Sequence, residues 1–180
     1  MTSRQTRPGG RTEAVRQRAL AAVIEELSEP ARLLSYDSLA KRAEINRATL
    51  YRNWPEPAEL IAEALGSVLP GLEESGPLEL REAVLTLAHE AQAVLRSAPG
   101  RTLIANVMAA AQHDPVIGEA IRAYWQARIG HATEASGVPA ERVRATVSAV
   151  AGRLLFEGLM FQREVPEVEL RELVEAAITQ

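Results

Sequence analysis

The chain contains no cysteine, which excludes disulfides and thiolate metal sites and is compatible with a reducing cytoplasm, where we expect the protein. Aromatic residues make up only 4% of its 180 residues, and abundant alanine favours helices over sheets. No apolar run approaches the ~20 residues that a membrane-spanning helix needs. The first ten residues are polar and include Arg4 and Arg7, so we expect no signal peptide.

The residues that usually carry catalysis or bind metals are also scarce. The sequence has three histidines and two aspartates, and it has neither an H-E-x-x-H nor an E-x-x-H pattern. Nucleotide-binding glycine runs and the G-x-S-x-G pattern are absent too. Asp114, beside His113, is interpreted as a helix cap, and His89 as a surface or packed core residue. We therefore expect no enzyme activity, no metal site and no cofactor.

The apolar fraction of 47% is ample for the core of one large domain or two small ones. The net charge of −4 is unevenly distributed, because residues 1–53 carry +4 and residues 54–180 carry −8. A basic first part is typical of a protein that binds nucleic acid locally, although asymmetry of this size also arises by chance.

The stretch from Ser35 to Trp54, SYDSLAKRAEINRATLYRNW, predicts two short helices joined by a sharp turn. Ser35 is expected to cap the first helix, whose apolar residues share one face. Asn46 is expected to cap the second, Arg47 to Arg52, in which Leu50 points inward. Two short helices at this spacing predict a helix-turn-helix, whose second helix enters the major groove of DNA.

Residues 35–54, with the following Pro55 to Leu65, resemble the DNA-binding domain of TetR-type (TetR/AcrR) transcriptional regulators. The matching positions are Ala40, Ala43, Ile45, Asn46, Thr49, Leu50, Tyr51, Arg52, Asn53 and Trp54. This combination is far more specific than a generic two-helix turn. Three positions depart from the family pattern: Glu44 replaces the glycine of the turn, Pro57 replaces a lysine that contacts phosphate, and Trp54 replaces a phenylalanine.

The resemblance implies an all-α fold of nine helices, with an N-terminal helix-turn-helix domain of three helices and a C-terminal bundle for ligand binding and dimerisation. We divide the chain into a flexible arm (1–11), the helix-turn-helix domain (12–54) and a regulatory domain (55–180) whose helix 57–69 is the connector. The arginines of the arm could follow DNA. A solvated tail is the better interpretation of the arm without DNA.

The residues expected to bind DNA lie on and around the second helix: Tyr36, Lys41, Arg42, Asn46, Arg47, Ala48, Thr49, Tyr51 and Arg52. Arginines bind phosphates or the edge of guanine, hydroxyl groups donate to phosphates, and a capped helix start attracts an anion. Lys41 and Arg42 are expected near the DNA backbone. For Tyr36, a phosphate contact and packing within the loop are equally open.

Apolar periodicity and proline or glycine breaks predict the other helices at 12–28, 57–69, 78–97, 101–112, 115–135, 139–163 and 166–178. Between Ala145 and Phe161 the only charges are Arg153 and Glu157, so helix 139–163 needs burial on nearly all sides.

We interpret the last two helices as a homodimer seam, a four-helix bundle across a two-fold axis. The predicted interface residues are Val143, Val147, Val150, Leu154, Phe161, Leu170 and Val174. The alternative is that helix 139–163 is the central core helix of a monomer. Paired helix-turn-helix units need a spacing of ~34–36 Å to meet successive major grooves, which favours the dimer.

By the same resemblance, the C-terminal helices are expected to enclose a cavity for a small hydrophobic effector. Its candidate lining residues are Leu103, Val107, Met108, Trp125, Phe156 and Met160, and ordinary core packing is the alternative for each. The sequence therefore predicts a homodimeric, sequence-specific regulator that binds double-stranded operator DNA, a repressor released by this effector. The alternative hypothesis is an all-α small-molecule-binding or scaffold protein whose helix-turn-helix no longer binds DNA, and Glu44 and Pro57 support it.

Overall fold

The computed structural model describes residues 8–29, 34–69 and 77–179. This part of the chain forms α1 (Pro8–Ser28), α2 (Tyr36–Ala43), α3 (Arg47–Asn53), α4 (Pro57–Val68), α5 (Leu80–Arg96), α6 (Ala98–Ala110), α7 (Pro115–Ser136), α8 (Ala140–Leu155) and α9 (Glu167–Thr179), with a π-helical turn at Phe156–Met160. It contains no β-strand within those ranges, and the predicted all-α fold of nine helices is confirmed.

Prolines and small polar side chains set where several helices begin. Proline stands in the first turn of α4, α6 and α7, where its missing N–H would have no helical partner. Asp114 accepts a hydrogen bond from the Val116 N–H at 2.9 Å, so its predicted capping role is confirmed. Gly137 ends α7 in the left-handed conformation, with φ 67°.

The start of α1 differs from the prediction. The helix begins at Pro8 rather than Thr12, so residues 8–11 of the expected flexible arm are helical. Proline is well suited to the first turn of a helix, which makes Pro8 an effective start. The rest of the predicted arm, residues 1–7, lies outside the described residues.

The end of α8 also differs from the prediction, because the α-helix stops at Leu155 rather than Arg163. The chain widens into the π-helical turn, in which Glu157 is buried and pairs with Arg153 and Arg163, each at 2.9 Å. Gln162 then takes a left-handed conformation, with φ 52°, and turns the chain away from the helix axis. The two arginines compensate the charge of the buried carboxylate in this turn.

Two apolar cores hold the helices together. The first joins the helix-turn-helix to α4, α6 and α7, and its members include Val23, Leu39, Leu50, Ile61, Val107 and Ile117. The second joins α5, α8 and α9, and its members include Val84, Leu95, Val143, Leu154, Leu170 and Val174. The first core contains residues from both sides of the predicted domain boundary at 54–55, among them Trp54 and Ala58. The division into two domains at that point stays a prediction. α4 packs against both α1 and α7 and so connects the helix-turn-helix to the remaining helices.

Candidate nucleic-acid interface

Two side-chain caps and one buried leucine position α2 and α3. Ser35 Oγ accepts a hydrogen bond from the Ser38 N–H at 3.1 Å, and Asn46 Oδ1 accepts one from the Ala48 N–H at 2.8 Å. Both caps were expected from the sequence and are confirmed. Leu50 is fully buried and anchors α3, so the other faces of this short helix turn outward.

Glu44 makes the turn between the two helices in the left-handed conformation, with φ 54° and ψ 45°. Its backbone N–H donates to the carbonyl oxygens of Ala40 and Lys41, which closes α2. A residue with a Cβ takes this conformation at a cost of roughly 1–2 kcal/mol. The turn is therefore made without glycine, and the carboxylate of Glu44 lies exposed beside α3.

The outward faces of α3 carry the residues that the sequence singles out. Arg47, Ala48 and Arg52 are exposed, Tyr51 is 44% exposed and Thr49 is half-buried. A short helix that buries one leucine and leaves hydroxyl and guanidinium groups outward can donate hydrogen bonds to an anionic or acceptor-rich surface.

Tyr36 does not belong to this exposed set. It is only 5% exposed, and its hydroxyl donates to the carbonyl oxygen of Trp54 at 2.6 Å. The Tyr51 ring meets it edge-on, with ring centroids 4.6 Å apart. Burial, then the negative charge of Glu59, raises the pKa of Tyr36 to about 12. The phosphate contact considered for Tyr36 is therefore corrected to packing inside the helix-turn-helix.

Arg47 is exposed but is already engaged. Its Nη1 donates to Asp37 Oδ1 at 2.6 Å and its Nη2 donates to the Tyr51 hydroxyl at 2.9 Å. The guanidinium carbon lies 5.2 Å from the centroid of the Tyr51 ring, within the range of a cation–π contact. The hydrogen bond with Tyr51 and the charge of Asp37 raise the pKa of Arg47. Sequence reasoning missed Asp37, because nothing local marks it as the partner of a residue on the next helix.

Arg42 turns toward α1 rather than toward solvent. Its guanidinium donates to Glu29 at 2.8 Å and to Glu25 at 3.4 Å, and it lies 3.9 Å from Glu26. It is therefore held by two carboxylates of α1 and by Glu29, just beyond the end of that helix. We replace its predicted place near the DNA backbone with a role in fastening α2 to α1. Lys41 and Arg52 are different, because they are exposed and have no carboxylate partner within the described ranges.

The tryptophan that departs from the family pattern has a structural role. Trp54 is buried, and its indole N–H donates to Glu63 of α4 at 2.8 Å. Arg16 of α1 binds the other oxygen of the same carboxylate at 2.6 Å. A phenylalanine would lack this donor, so Trp54 adds a polar bond between the end of α3 and the connector helix.

An apolar cavity of about 260 Å³ lies among α4, α5, α6, α7 and α8. Four of the six predicted lining residues border it: Leu103, Val107, Met108 and Trp125. The other two, Phe156 and Met160, lie outside the cavity and are 54% and 70% exposed. Their positions are corrected, since the π-helical turn carries both to the surface.

Six of the seven predicted interface residues lie inside the protomer. Val143, Val147, Val150, Leu154, Leu170 and Val174 belong to its second core, so they are not free to contact another chain. Only Phe161, which is 63% exposed, remains available. The outer face of α8 instead carries a row of small residues, Ala145, Ala149 and Gly152, followed by Phe156. The exposed Arg144, Ser148 and Arg153 flank this row. The six predicted residues are therefore corrected to positions in the core of the protomer.

Two other expectations concern the whole described part of the chain. No group of three or more histidine, cysteine, aspartate or glutamate side chains comes together there in a way that could hold a metal ion. None of the helices in the same ranges combines the length and the apolar character needed to cross a membrane.

The arrangement defines a class of protein, an all-α chain whose helix-turn-helix packs through α4 and α6 onto a larger helical body. Solved structures share it. A TetR transcriptional regulator from Rhodococcus sp. RHA1 matches with a TM-score of 0.57 and 20% identity over 93% of this chain and 97% of that one. NalD of Pseudomonas aeruginosa, the secondary repressor of the MexAB-OprM multidrug efflux pump, matches with a TM-score of 0.56 and 15% identity over 93% and 96%.

Salmonella enterica GusR also matches, with a TM-score of 0.57 and 18% identity over 99% of this chain and all of that one. No protein-family model matches the sequence, and no curated protein matches it. The chain thus has the fold of TetR-family transcriptional regulators, over at least 93% of its length and at low sequence identity.

Proposed function

We propose that this protein is a sequence-specific DNA-binding transcriptional regulator that uses α3 as its reading helix. Its partner is double-stranded operator DNA, which places its work in the cytoplasm. The fold, which it has in common with transcriptional regulators, supports the proposal. The basic charge of residues 1–53 supports it as well, since positive charge collects on the part of the chain that carries α3.

The observation that carries the proposal is the way in which α3 is held. Asn46 caps the helix and Leu50 buries one face, while Arg47, Tyr51 and Arg52 extend outward. Arg52 and Lys41 are exposed cations without a carboxylate partner within the described ranges. Such cations displace counterions from DNA, and a helix presented in this way fits a major groove.

The test is the salt dependence of binding to the DNA upstream of the protein's own gene. The logarithm of the binding constant falls linearly with the logarithm of salt concentration, with a slope of about −0.9 per phosphate contact. Arg52→Ala is expected to reduce this slope by about one, and the affinity roughly tenfold at ~0.1 M salt, for each bound protomer. Arg122→Ala removes an exposed arginine of α7 and serves as the matched control, with no expected change.

Two results would contradict the proposal: a parent protein that binds no DNA, or an Arg52→Ala variant that binds with the parent's slope. Either result favours the alternative that the helix-turn-helix is structural and that the protein binds small molecules or acts as a scaffold.

We propose further that the protein acts as a homodimer through the outer face of α8 and the π-helical turn. This face combines small residues, which permit close approach of another helix, with the exposed rings of Phe156 and Phe161. Those two rings meet edge-on, with centroids 5.3 Å apart, and form one apolar patch. A second copy related by two-fold symmetry would cover the patch and pair the two reading helices.

We propose finally that the apolar cavity binds a small, neutral effector that releases a repressor from DNA. The cavity borders Leu65, Val68 and Leu69, at the end of the connector helix, so an occupant contacts the element that carries the helix-turn-helix. Its volume, near the lower end of ligand pockets, limits the occupant to a small molecule. Naphthalene is a suitable probe, and its binding in isothermal titration calorimetry, together with weaker DNA binding, is the expected result. Binding of naphthalene without any change in DNA binding would contradict the release step.

A further inference from the structure

Asp37 and Arg47 face each other across the helix-turn-helix. Asp37 lies in the first turn of α2 and Arg47 is the first residue of α3, and their side chains meet at 2.6 Å. The same guanidinium donates to the Tyr51 hydroxyl and lies over the Tyr51 ring. Three contacts therefore orient an arginine that remains 52% exposed.

This arrangement is fixed to the interior of the domain. The Tyr51 ring packs edge-on against Tyr36, which is buried and bonded to the carbonyl oxygen of Trp54. An isolated surface ion pair contributes little, partly because two long side chains must be ordered. Here the ring of Tyr51 already restricts the guanidinium, so less freedom remains to be lost when Asp37 binds it.

Asp37 changes what Arg47 can offer to DNA. Arg52 and Lys41, without carboxylate partners in the described part of the chain, can attract any phosphate. Arg47 carries its own counter-charge, so at a distance it adds little attraction to the phosphate backbone. To bind DNA it must leave Asp37, and the carboxylate then faces a polyanion without its partner.

A guanine edge can compensate for that loss more fully than a distant phosphate can. Its O6 and N7 atoms accept two hydrogen bonds from one arginine, and such a pair contributes about 1–3 kcal/mol of discrimination between bases. Non-specific complexes are held mainly by phosphate contacts, so they present no such pair. Replacing the Asp37 contact of Arg47 with a contact to DNA is therefore favourable where a guanine edge is in reach and unfavourable on other sequences.

We propose that Asp37 of α2 determines the specificity of the reading helix. Its ion pair with Arg47 competes with binding of Arg47 to phosphates, and it is broken when Arg47 binds a base edge with two acceptors. This inference rests on the DNA-binding function proposed above. It assigns to an acidic residue outside α3 a part in sequence discrimination.

The experiment begins with a preferred site selected from a pool of random duplexes. Affinities for that site and for a scrambled duplex of equal composition are then measured by fluorescence anisotropy at ~0.1 M salt. Asp37→Asn is expected to strengthen binding to the scrambled duplex roughly tenfold per protomer, the effect of about one added phosphate contact. Binding to the selected site should change less than about threefold, so the ratio of the two affinities falls.

Two controls separate this effect from a simple loss of negative charge. Glu44→Gln removes a carboxylate from the same turn region without touching Arg47, and should change both affinities equally. In an Arg47→Ala background, Asp37→Asn should leave the affinity ratio unchanged. Circular dichroism checks that every variant remains folded.

The inference is overturned if Asp37→Asn alters both affinities equally, as expected of Glu44→Gln, or if it lowers the ratio even without Arg47. Those results leave the proposed function intact, because the parent still prefers its selected site. A parent that binds neither duplex overturns the proposed function and this inference together.

Discussion

At the scale of single residues, Tyr36 ties the start of α2 to the end of α3 through one buried hydrogen bond. The raised pKa means that folding favours the neutral phenol. An unfolded tyrosine titrates near pH 10. The stabilisation from Tyr36 is therefore complete below about pH 10 and is lost as the pH rises from there toward about 12.

We predict that Tyr36→Phe destabilises the protein by about 1–2 kcal/mol, because it leaves the buried Trp54 carbonyl without its donor. Urea denaturation measures the change. Tyr51→Phe, which removes a hydroxyl from a half-exposed ring, is the matched control and should cost less than about 0.5 kcal/mol. Unchanged stability of Tyr36→Phe, together with binding that is weakened to the same extent on all duplexes, would instead indicate that this hydroxyl contacts phosphate.

Glu44 gives the second prediction at this scale. Glu44→Gly should stabilise the protein by about 1 kcal/mol, because glycine takes the left-handed conformation without the Cβ penalty. The greater conformational freedom of glycine in the unfolded chain offsets part of that gain. Thermal or urea unfolding measures the difference. Glu44→Ala keeps the Cβ and removes the carboxylate, so a stabilisation by alanine as large as that by glycine would refute the backbone explanation.

Residue roles were predictable from the sequence where they depend on near neighbours. The caps Ser35, Asn46 and Asp114 each bond to an N–H two or three residues away, and the sequence indicated all three. The partners of Tyr36 and Arg42 are Trp54, just after α3, and Glu29, just after α1, at 18 and 13 residues away. Their directions depend on how the helices pack, which no local pattern specifies.

At the scale of elements, α8 shows how an apolar helix divides its faces. Its valines face the second core, while its small residues face outward. The sequence shows both stripes, but it does not indicate which one the protomer buries. The number and order of the helices follow from apolar periodicity and from proline and glycine breaks, and these were predicted. The start of α1 and the end of α8 were not, and no local pattern indicated the π-helical turn.

Glu157 also gives the prediction at this scale. The hydrogen bond from Arg163, aided by the charge of Arg153, lowers the pKa of Glu157. Its stabilising contribution is therefore present above the unfolded pKa, about 4.3, and is lost as the pH falls below that value toward the lower folded pKa. The melting temperature of the parent should consequently fall more steeply below about pH 4.5 than that of Glu157→Gln.

The matched control for this change is Glu172→Gln, which alters an exposed glutamate of α9. It should keep the parent's steep loss of stability in acid. Parallel curves for the parent and Glu157→Gln would show that the ion pairs around the π-helical turn contribute nothing to the acid response.

At the scale of the whole molecule, α4 joins the helix-turn-helix to the cavity. α4 packs on α1 and α7 and borders the cavity at its end. The fold class and its order of helices were predicted from the sequence. The outer face of α8 could be identified only from the packed chain, since the residues first assigned to an interface are buried within the protomer.

The outer face gives the prediction for the assembly. Gly152→Glu should convert a dimer to a monomer of 19.6 kDa in sedimentation equilibrium, because it places a charge in the seam. A Cβ at Gly152 meets nothing within 4 Å, so the protomer itself should stay folded. Gly130→Glu on α7 has equally open space at its Cβ and is the matched control. A dimer that persists in Gly152→Glu would place the interface elsewhere.

The measurement that tests the central claim most directly is a hydroxyl-radical footprint of the parent on its selected duplex. Two copies of α3 held across a two-fold axis should protect two segments whose centres lie ~10–10.5 base pairs apart. Arg52→Ala should weaken the protection of both segments to the same extent. A single protected segment, or a footprint unchanged by Arg52→Ala, would contradict a paired reading helix built on α3.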